Sequence, residues 1–122
     1  MEKTLGAGSS STLLDGIELQ YKYEDGGEVV LSFYDGHVRF EFLSGPLAGT
    51  KFSDLAYLSR ALDEQVYLIR WHNKEVGSYV TLYIDLPGKR VFGSALIEYS
   101  SDNPVDLFDA AIISRVSREG ES

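Results

Sequence analysis

The chain has 122 residues, enough for one domain whose core buries roughly two thirds of its unfolded surface. Its 19 acidic and 11 basic residues leave a formal charge of −8, a field that repels phosphate backbones and anionic lipid, so no nucleic acid and no membrane is expected as a partner. It has no cysteine, which excludes disulfides, thiolate nucleophiles and zinc–cysteine sites and fits a cytoplasmic protein.

One apolar–polar alternation restarts along the chain and defines the predicted elements. Residues 1–15 precede the first of them. There Gly6-Ala7-Gly8-Ser9-Ser10-Ser11 reads as a flexible lead-in, with no apolar run long enough for a leader or a membrane span. The first strand covers 16–23, where Ile17, Leu19, Tyr21 and Tyr23 alternate with Glu18, Gln20 and Lys22. A period of two sends neighbouring side chains to opposite faces of a strand. Asp25-Gly26-Gly27 then supplies a hairpin turn, because glycine takes positive φ at little steric cost. The second strand is 28–34. Asp35-Gly36 is another tight turn, and 37–43 is the third strand, with Val38, Phe40 and Phe42 on one side. Ser44-Gly45-Pro46 breaks the pattern. A fourth strand over 49–53 either continues through 55–60 or gives way to a short helix over 56–62.

The fifth strand is 65–72 and the sixth 78–86. Pro87-Gly88 turns into a seventh over 89–99, whose Gly93 marks a bulge, a barrel bend or a close approach. Residues 100–106 form a loop. The last strand is 107–117, favoured by β-branched Ile112, Ile113 and Val116. The domain is therefore 16–117, followed by a charged tail over 118–122.

Eight short strands joined by brief connections imply an all-β barrel or sandwich, because a sheet must cover its apolar face or close on itself. An eight-stranded up-and-down barrel has room for one small ligand. Several side chains could serve such a site. Tyr21 and Tyr23 share a face and are either large core residues or phenol donors to a ligand oxygen. Trp71 faces inward with Tyr67 and Ile69, as a stacking wall or as barrel filling. Asn73 follows on the same face and could orient a polar group, whereas His72 falls outside. Tyr79, Thr81, Tyr83 and Asp85 oppose the apolar row Val80, Leu82, Ile84 and Leu86. Asp85 becomes an acid or base only if the polar row faces the lumen. Arg39 and Glu41 share an outer face and read as an ion pair. There is no glycine-rich phosphate loop and no serine nucleophile elbow, and His37 and His72 are the only histidines. No cofactor and no metal site is expected.

Four blocks carry a family resemblance. Tyr21-Lys22-Tyr23-Glu24-Asp25-Gly26 resembles the opening strand and turn of phenolic acid decarboxylases. Ser44-Gly45-Pro46-Leu47-Ala48-Gly49 resembles their following loop, Val66-Tyr67-Leu68-Ile69-Arg70-Trp71 their tryptophan strand, and Gly88-Lys89-Arg90-Val91-Phe92-Gly93 their Lys-Arg strand. The wider group includes the MoaF-like proteins. This resemblance implies a closed antiparallel up-and-down barrel of the lipocalin-like (calycin) kind, a homodimer, and a ligand in the lumen. It gives Tyr21 and Tyr23 the role of gripping a carboxylate. Where the family has an arginine this chain has Thr50, with Lys51 one place on, and where the family has a glutamate it has Asn73. The acid that would protonate the substrate carbon is thereby lost, so decarboxylation of phenolic acids is not expected.

Three functions follow as expectations. The first is a cofactor-free enzyme (cyclase, isomerase, lyase or decarboxylase type) acting on an apolar or aromatic small molecule. Tyr21, Tyr23 and Asn73 would be its catalytic residues, and Phe40, Phe42, Thr50, Tyr67 and Trp71 would line its site. The second is a carrier or sensor that binds through the same residues without converting the ligand. The third is an interaction domain with a filled core, which a lumen well below ~300 Å³ would favour.

Overall fold

A computed structural model describes residues 12–119. Eight strands follow one another: β1 (Ile17–Tyr23), β2 (Glu28–Tyr34), β3 (His37–Phe42), β4 (Lys51–Asp63), β5 (Val66–Asn73), β6 (Ser78–Asp85), β7 (Arg90–Ile97) and β8 (Val105–Arg118). Each pairs antiparallel with the next, and β1 pairs with β8, so the sheet is a closed up-and-down barrel. Closure removes every free sheet edge. No helix occurs among the described residues.

Local chemistry explains the turns. Asp35 and Gly36 both take positive φ, 46° and 76°, as a two-residue hairpin of the primed kind requires. The helix considered over 56–62 is instead part of β4, a single strand of 13 residues. Pairing on both sides decides this: Tyr57 opposes Trp71, and Ala56 opposes His37. The ladder slips once on each side of β4, between Val38 and Phe40 and between Ala61 and Asp63, and once between β1 and β8 at Gln20/Tyr21. Such bulges bend long strands around a small barrel. Gly93 is not one of them, since its pairings with Leu82 and Asp109 run without a break.

The alternation holds through most of the wall. In β6 the row Val80, Leu82 and Ile84 is buried, while Tyr79, Thr81, Tyr83 and Asp85 point out. Asp85 is thus an outer residue that accepts a hydrogen bond from the Gly88 amide in the β6–β7 turn (2.9 Å) and has no place in the lumen. Arg39 and Glu41 face outward without forming the expected ion pair. The Arg39 guanidinium stands over the Tyr34 ring at 5.3 Å, and Arg115 pairs with Glu18 at 3.0 Å.

The two barrel ends differ. At one end the segment before β1 folds across the opening. Residues 12–15, expected to belong to the lead-in, form a turn that buries Leu14 completely, while 1–11 lie outside the described residues. The Tyr57 hydroxyl accepts from the Leu14 amide (3.2 Å) and donates to Asp15 Oδ1 (2.7 Å), and Ser59 Oγ accepts from the Leu13 amide (2.8 Å). At the other end the β1–β2 turn is locked to the β3–β4 loop. Ser44 Oγ accepts from the Glu28 amide (3.1 Å) and donates to the Gly26 carbonyl (2.9 Å). Gly45, at φ 83°, lies so close to the Gly27 backbone that a Cβ would collide with it. Arg118, expected in the tail, still pairs with Ile17, and 120–122 lie outside the described residues.

Candidate functional site

The inward residues at the locked end enclose a cavity of about 40 Å³. β1 supplies Tyr21 and Tyr23, buried at 2% and 4% exposure. Their rings meet edge to face, 5.5 Å apart at 82°. β3 and β4 supply Phe40, Phe42 and Phe52, and β5 supplies Trp71. Phe40 is the hub of this wall, with ring centroids 5.7 Å from Trp71, 5.8 Å from Phe52 and 6.0 Å from Phe42. Contacts of this kind prefer tilted or edge-on geometry and hold rings in place beyond what area burial alone achieves.

Five polar side chains line the cavity: Tyr21, Tyr23, Thr50, Asn73 and Ser78. Asn73 Oδ1 accepts from the Glu75 amide (3.2 Å) and Ser78 Oγ from the Glu98 amide (3.1 Å), so both are fixed by the loops above them. Burial pushes the Tyr21 phenol well above its ordinary range, and the neighbouring Tyr23 adds to the effect. Burial likewise raises Tyr23, opposed by the hydrogen bond between its hydroxyl and that of Tyr21, while the nearby carboxylates of Asp109 and Asp25 push it up further. Both phenols therefore stay protonated donors across the physiological range. No carboxylate, amine, guanidinium or imidazole lines the cavity.

The structure brings together seven of the eight residues singled out in the sequence: Tyr21, Tyr23, Phe40, Phe42, Thr50, Trp71 and Asn73. The exception is Tyr67. It packs on the core but pairs with Ala61 and Ile84, toward the end closed by Leu14, and does not reach the cavity. Lys51 is exposed on the outer wall, so no slip of register carries it to the place of the missing arginine. His72 is on the outside as expected, with Nε2 2.8 Å from the Tyr99 hydroxyl and its ring against Tyr79. Among the described residues no group of three His, Cys, Asp or Glu is placed to hold a metal ion.

Sequence reading missed Phe52 and Ser78, and for Gly93 it offered a close approach without naming the partner. Phe52 was findable as the one aromatic of its strand segment. Gly93 was visible as a glycine inside a strand, but its reason is tertiary. A Cβ there would run into the Tyr23 hydroxyl and lie 2.9 Å from Leu107 Cδ2, so the missing side chain is what lets the phenol reach over β8 to β7.

No family model and no curated protein matches the chain. Among solved structures it is similar to a Burkholderia vietnamiensis protein described as a "putative beta-lactamase". The TM-score is 0.58 at 16% identity, over 93% of this chain and 99% of that one. At that identity the likeness carries the barrel fold and nothing finer. No helix among the described residues is long and apolar enough to cross a membrane.

Proposed function

We propose that this barrel binds a small, largely apolar molecule at its locked end, seating the molecule's oxygen on the Tyr21 and Tyr23 phenols. The observation that carries the reading is the pairing of those two buried donors with an aromatic wall in a cavity that holds no charge. Phenols in an apolar surrounding hydrogen-bond a carbonyl, ether or phenolic oxygen without the cost of burying an ion.

The same chemistry favours binding over turnover. General acid–base catalysis works best with a group whose pKa lies near the working pH, and the two titratable groups here are both displaced upward. The positions at which the resemblance calls for an arginine and a glutamate, Thr50 and Asn73, do line the cavity, as neutral side chains. The carrier or sensor reading is therefore preferred to the lyase or isomerase one. Nor does the lining support the activity in the Burkholderia protein's description, because its two aliphatic hydroxyls, on Thr50 and Ser78, have no base among the lining residues.

The cavity sets the size of the ligand. A volume of about 40 Å³ is far below the ~300 Å³ of a typical small-molecule pocket, so a ligand of more than a few heavy atoms must displace part of the phenylalanine wall. The same small volume supports a second reading, an interaction domain with a packed lumen.

Trp71 is the chain's single tryptophan and sits in the cavity wall, so its fluorescence separates the two readings. Titration with small phenols and aromatic ketones, alongside native mass spectrometry of freshly purified protein, is expected to give a saturable change in Trp71 emission that Tyr21→Phe and Tyr23→Phe weaken. No saturable change with any member of the series, and no retained small molecule, sinks the binding reading and leaves the packed domain.

A further inference from the structure

Both ends of the barrel are covered, one by the turn that carries Leu14 and the other by the Ser44 lock, yet the cavity wall is not equally closed all round. Exposure along β3 shows where it thins. Phe42 stands beside the locked end and is buried, Phe40 lies one inward position deeper and is half-buried, and Val38 beyond it is buried again. An opening at the barrel end would expose Phe42 before Phe40. Leu19 and Leu31, which continue Phe40's row across β1 and β2, are completely buried. On β4 the inward Phe52 and Leu55 are half-buried, and Tyr57 beyond them is buried. The thin flank of the cavity is therefore the β3–β4 seam.

That seam is also where the ladder slips. Val38 opposes Leu55 and Phe40 opposes Phe52, so Arg39 alone stands against Ser53 and Asp54. A bulge of this kind leaves its extra residue unpaired and interrupts the ladder. Asp54 takes φ 60°, and its amide donates to the Tyr34 hydroxyl (2.8 Å), which donates in turn to Asp54 Oδ1 (2.6 Å). Outside the slip lies a groove of about 520 Å³, and Phe40 and Phe52 line it as well as the cavity. These two rings, 5.8 Å apart, are the partition between inside and outside. The rest of the groove is polar. Arg39 and Lys51 balance Glu18 and Glu41, and Ser32 and Ser53 add hydroxyls.

We infer that the ligand enters through the side of the barrel at the β3–β4 seam and stays threaded there, with a flat apolar head on the phenols inside and a hydrogen-bonding tail of no net charge in the groove outside. The volumes fit this arrangement. About 40 Å³ takes only the oxygen-bearing end of the head, and parting Phe40 from Phe52 joins that space to the groove. Two half-buried rings give up fewer packing contacts on moving than the fully buried Leu14 would at the other end. The balanced charges of the groove offer no net attraction to an ionic tail, while its hydroxyls and charged groups suit ether and hydroxyl oxygens. The seating of the head rests on the binding reading above; the entrance does not.

Because the chain has no cysteine, one introduced pair can staple the seam. Glu41 and Lys51 are exposed and stand opposite each other, next to the Phe40–Phe52 rung. The Phe42 amide donates to the Thr50 carbonyl (2.9 Å), which makes Glu41 and Lys51 a non-hydrogen-bonded pair. Such pairs have Cα atoms about 4.5 Å apart, within reach of a disulfide. In Glu41→Cys/Lys51→Cys, oxidation is expected to slow acrylamide quenching of Trp71 by about threefold or more, and reduction to restore it. Lys22→Cys/Glu28→Cys staples β1 to β2 and is expected to leave quenching unchanged. Phe52→Ala, with no staple, is expected to speed it. Acetophenone and its para-substituted glycol ether are expected to bind the parent with similar affinity. Quenching indifferent to the seam staple, slowed equally by the β1–β2 staple, or no faster in Phe52→Ala overturns the entrance, whether or not a probe binds. Loss of binding when the glycol chain is added overturns the threaded seating. Quenching gated by the seam with no probe bound leaves the entrance standing and takes down the binding reading and the seating together.

Discussion

Adding one methyl group at Gly93 tests the internal geometry of the site more sharply than removing any of its side chains. In Gly93→Ala the new Cβ overlaps the Tyr23 hydroxyl oxygen and lies 2.9 Å from Leu107 Cδ2 and 3.2 Å from Tyr23 Cζ. Relief requires the phenol to withdraw by roughly 1 Å to reach an ordinary contact distance. Leu107 is at the flexible end of its side chain and yields easily. Tyr23 does not, because it is buried and wedged edge-on against Tyr21. Overpacking of this kind costs about 1–3 kcal/mol. The gain from replacing a strand glycine returns only about 0.5–1 kcal/mol. The net loss is about 1–2 kcal/mol, a fall in melting temperature of roughly 4–8 °C for a domain of this size. The assay is thermal unfolding of four proteins: parent, Gly93→Ala, Tyr23→Phe and the double variant. Removing the hydroxyl removes the overlapping atom, so Gly93→Ala should cost about 1 kcal/mol less in the Tyr23→Phe background. Equal losses in the two backgrounds, or no loss in the parent, would refute the account of why this strand carries a glycine.

Further outcomes follow from the same geometry. Tyr21→Phe and Tyr23→Phe keep the ring and lose one hydroxyl each. Each should change stability by no more than about 1.5 kcal/mol, while the affinity for an oxygen-bearing probe, read from Trp71 emission, falls by about tenfold. Tyr57→Phe removes the oxygen that joins the Leu14 amide to the Asp15 carboxylate. It is expected to cost about 1–3 kcal/mol and to speed hydrogen exchange at the Leu14 amide, whereas unchanged protection there would show that the segment is held by burial alone. Burial raises the phenols of Tyr21, Tyr23 and Tyr57 above the unfolded value. The folded state then holds protons that the unfolded state has released, so this stabilisation is complete below pH ~10 and is lost as pH rises past it. Tyrosinate absorbance from the buried three should appear only together with loss of structure. Ionisation of Tyr21, Tyr23 and Tyr57 in a still-folded chain would contradict their placement.

Much of this molecule was written in its pattern of side chains. A period of two is a local property, so the strands, the hairpin turns at Asp25-Gly26-Gly27 and Asp35-Gly36, and the inward identity of Tyr21, Tyr23, Phe40, Phe42 and Trp71 are readable one residue at a time. The same pattern identified the polar row of β6 as the alternative to an apolar one, and burial of Val80, Leu82 and Ile84 chose between them. What alternation does not encode is distance between strands far apart in the chain. Closure through β1 and β8, the level of Tyr67 below the cavity, the seating of Leu14 across one end and the reach of Tyr23 to Gly93 each depend on residues dozens of positions apart. The size of the lumen depends on all the inward volumes at once, and a sum of volumes becomes a cavity only when strand register has set which rings meet. That is why an aromatic-lined barrel interior could be anticipated from the chain alone, whereas its narrowness came only from the folded arrangement.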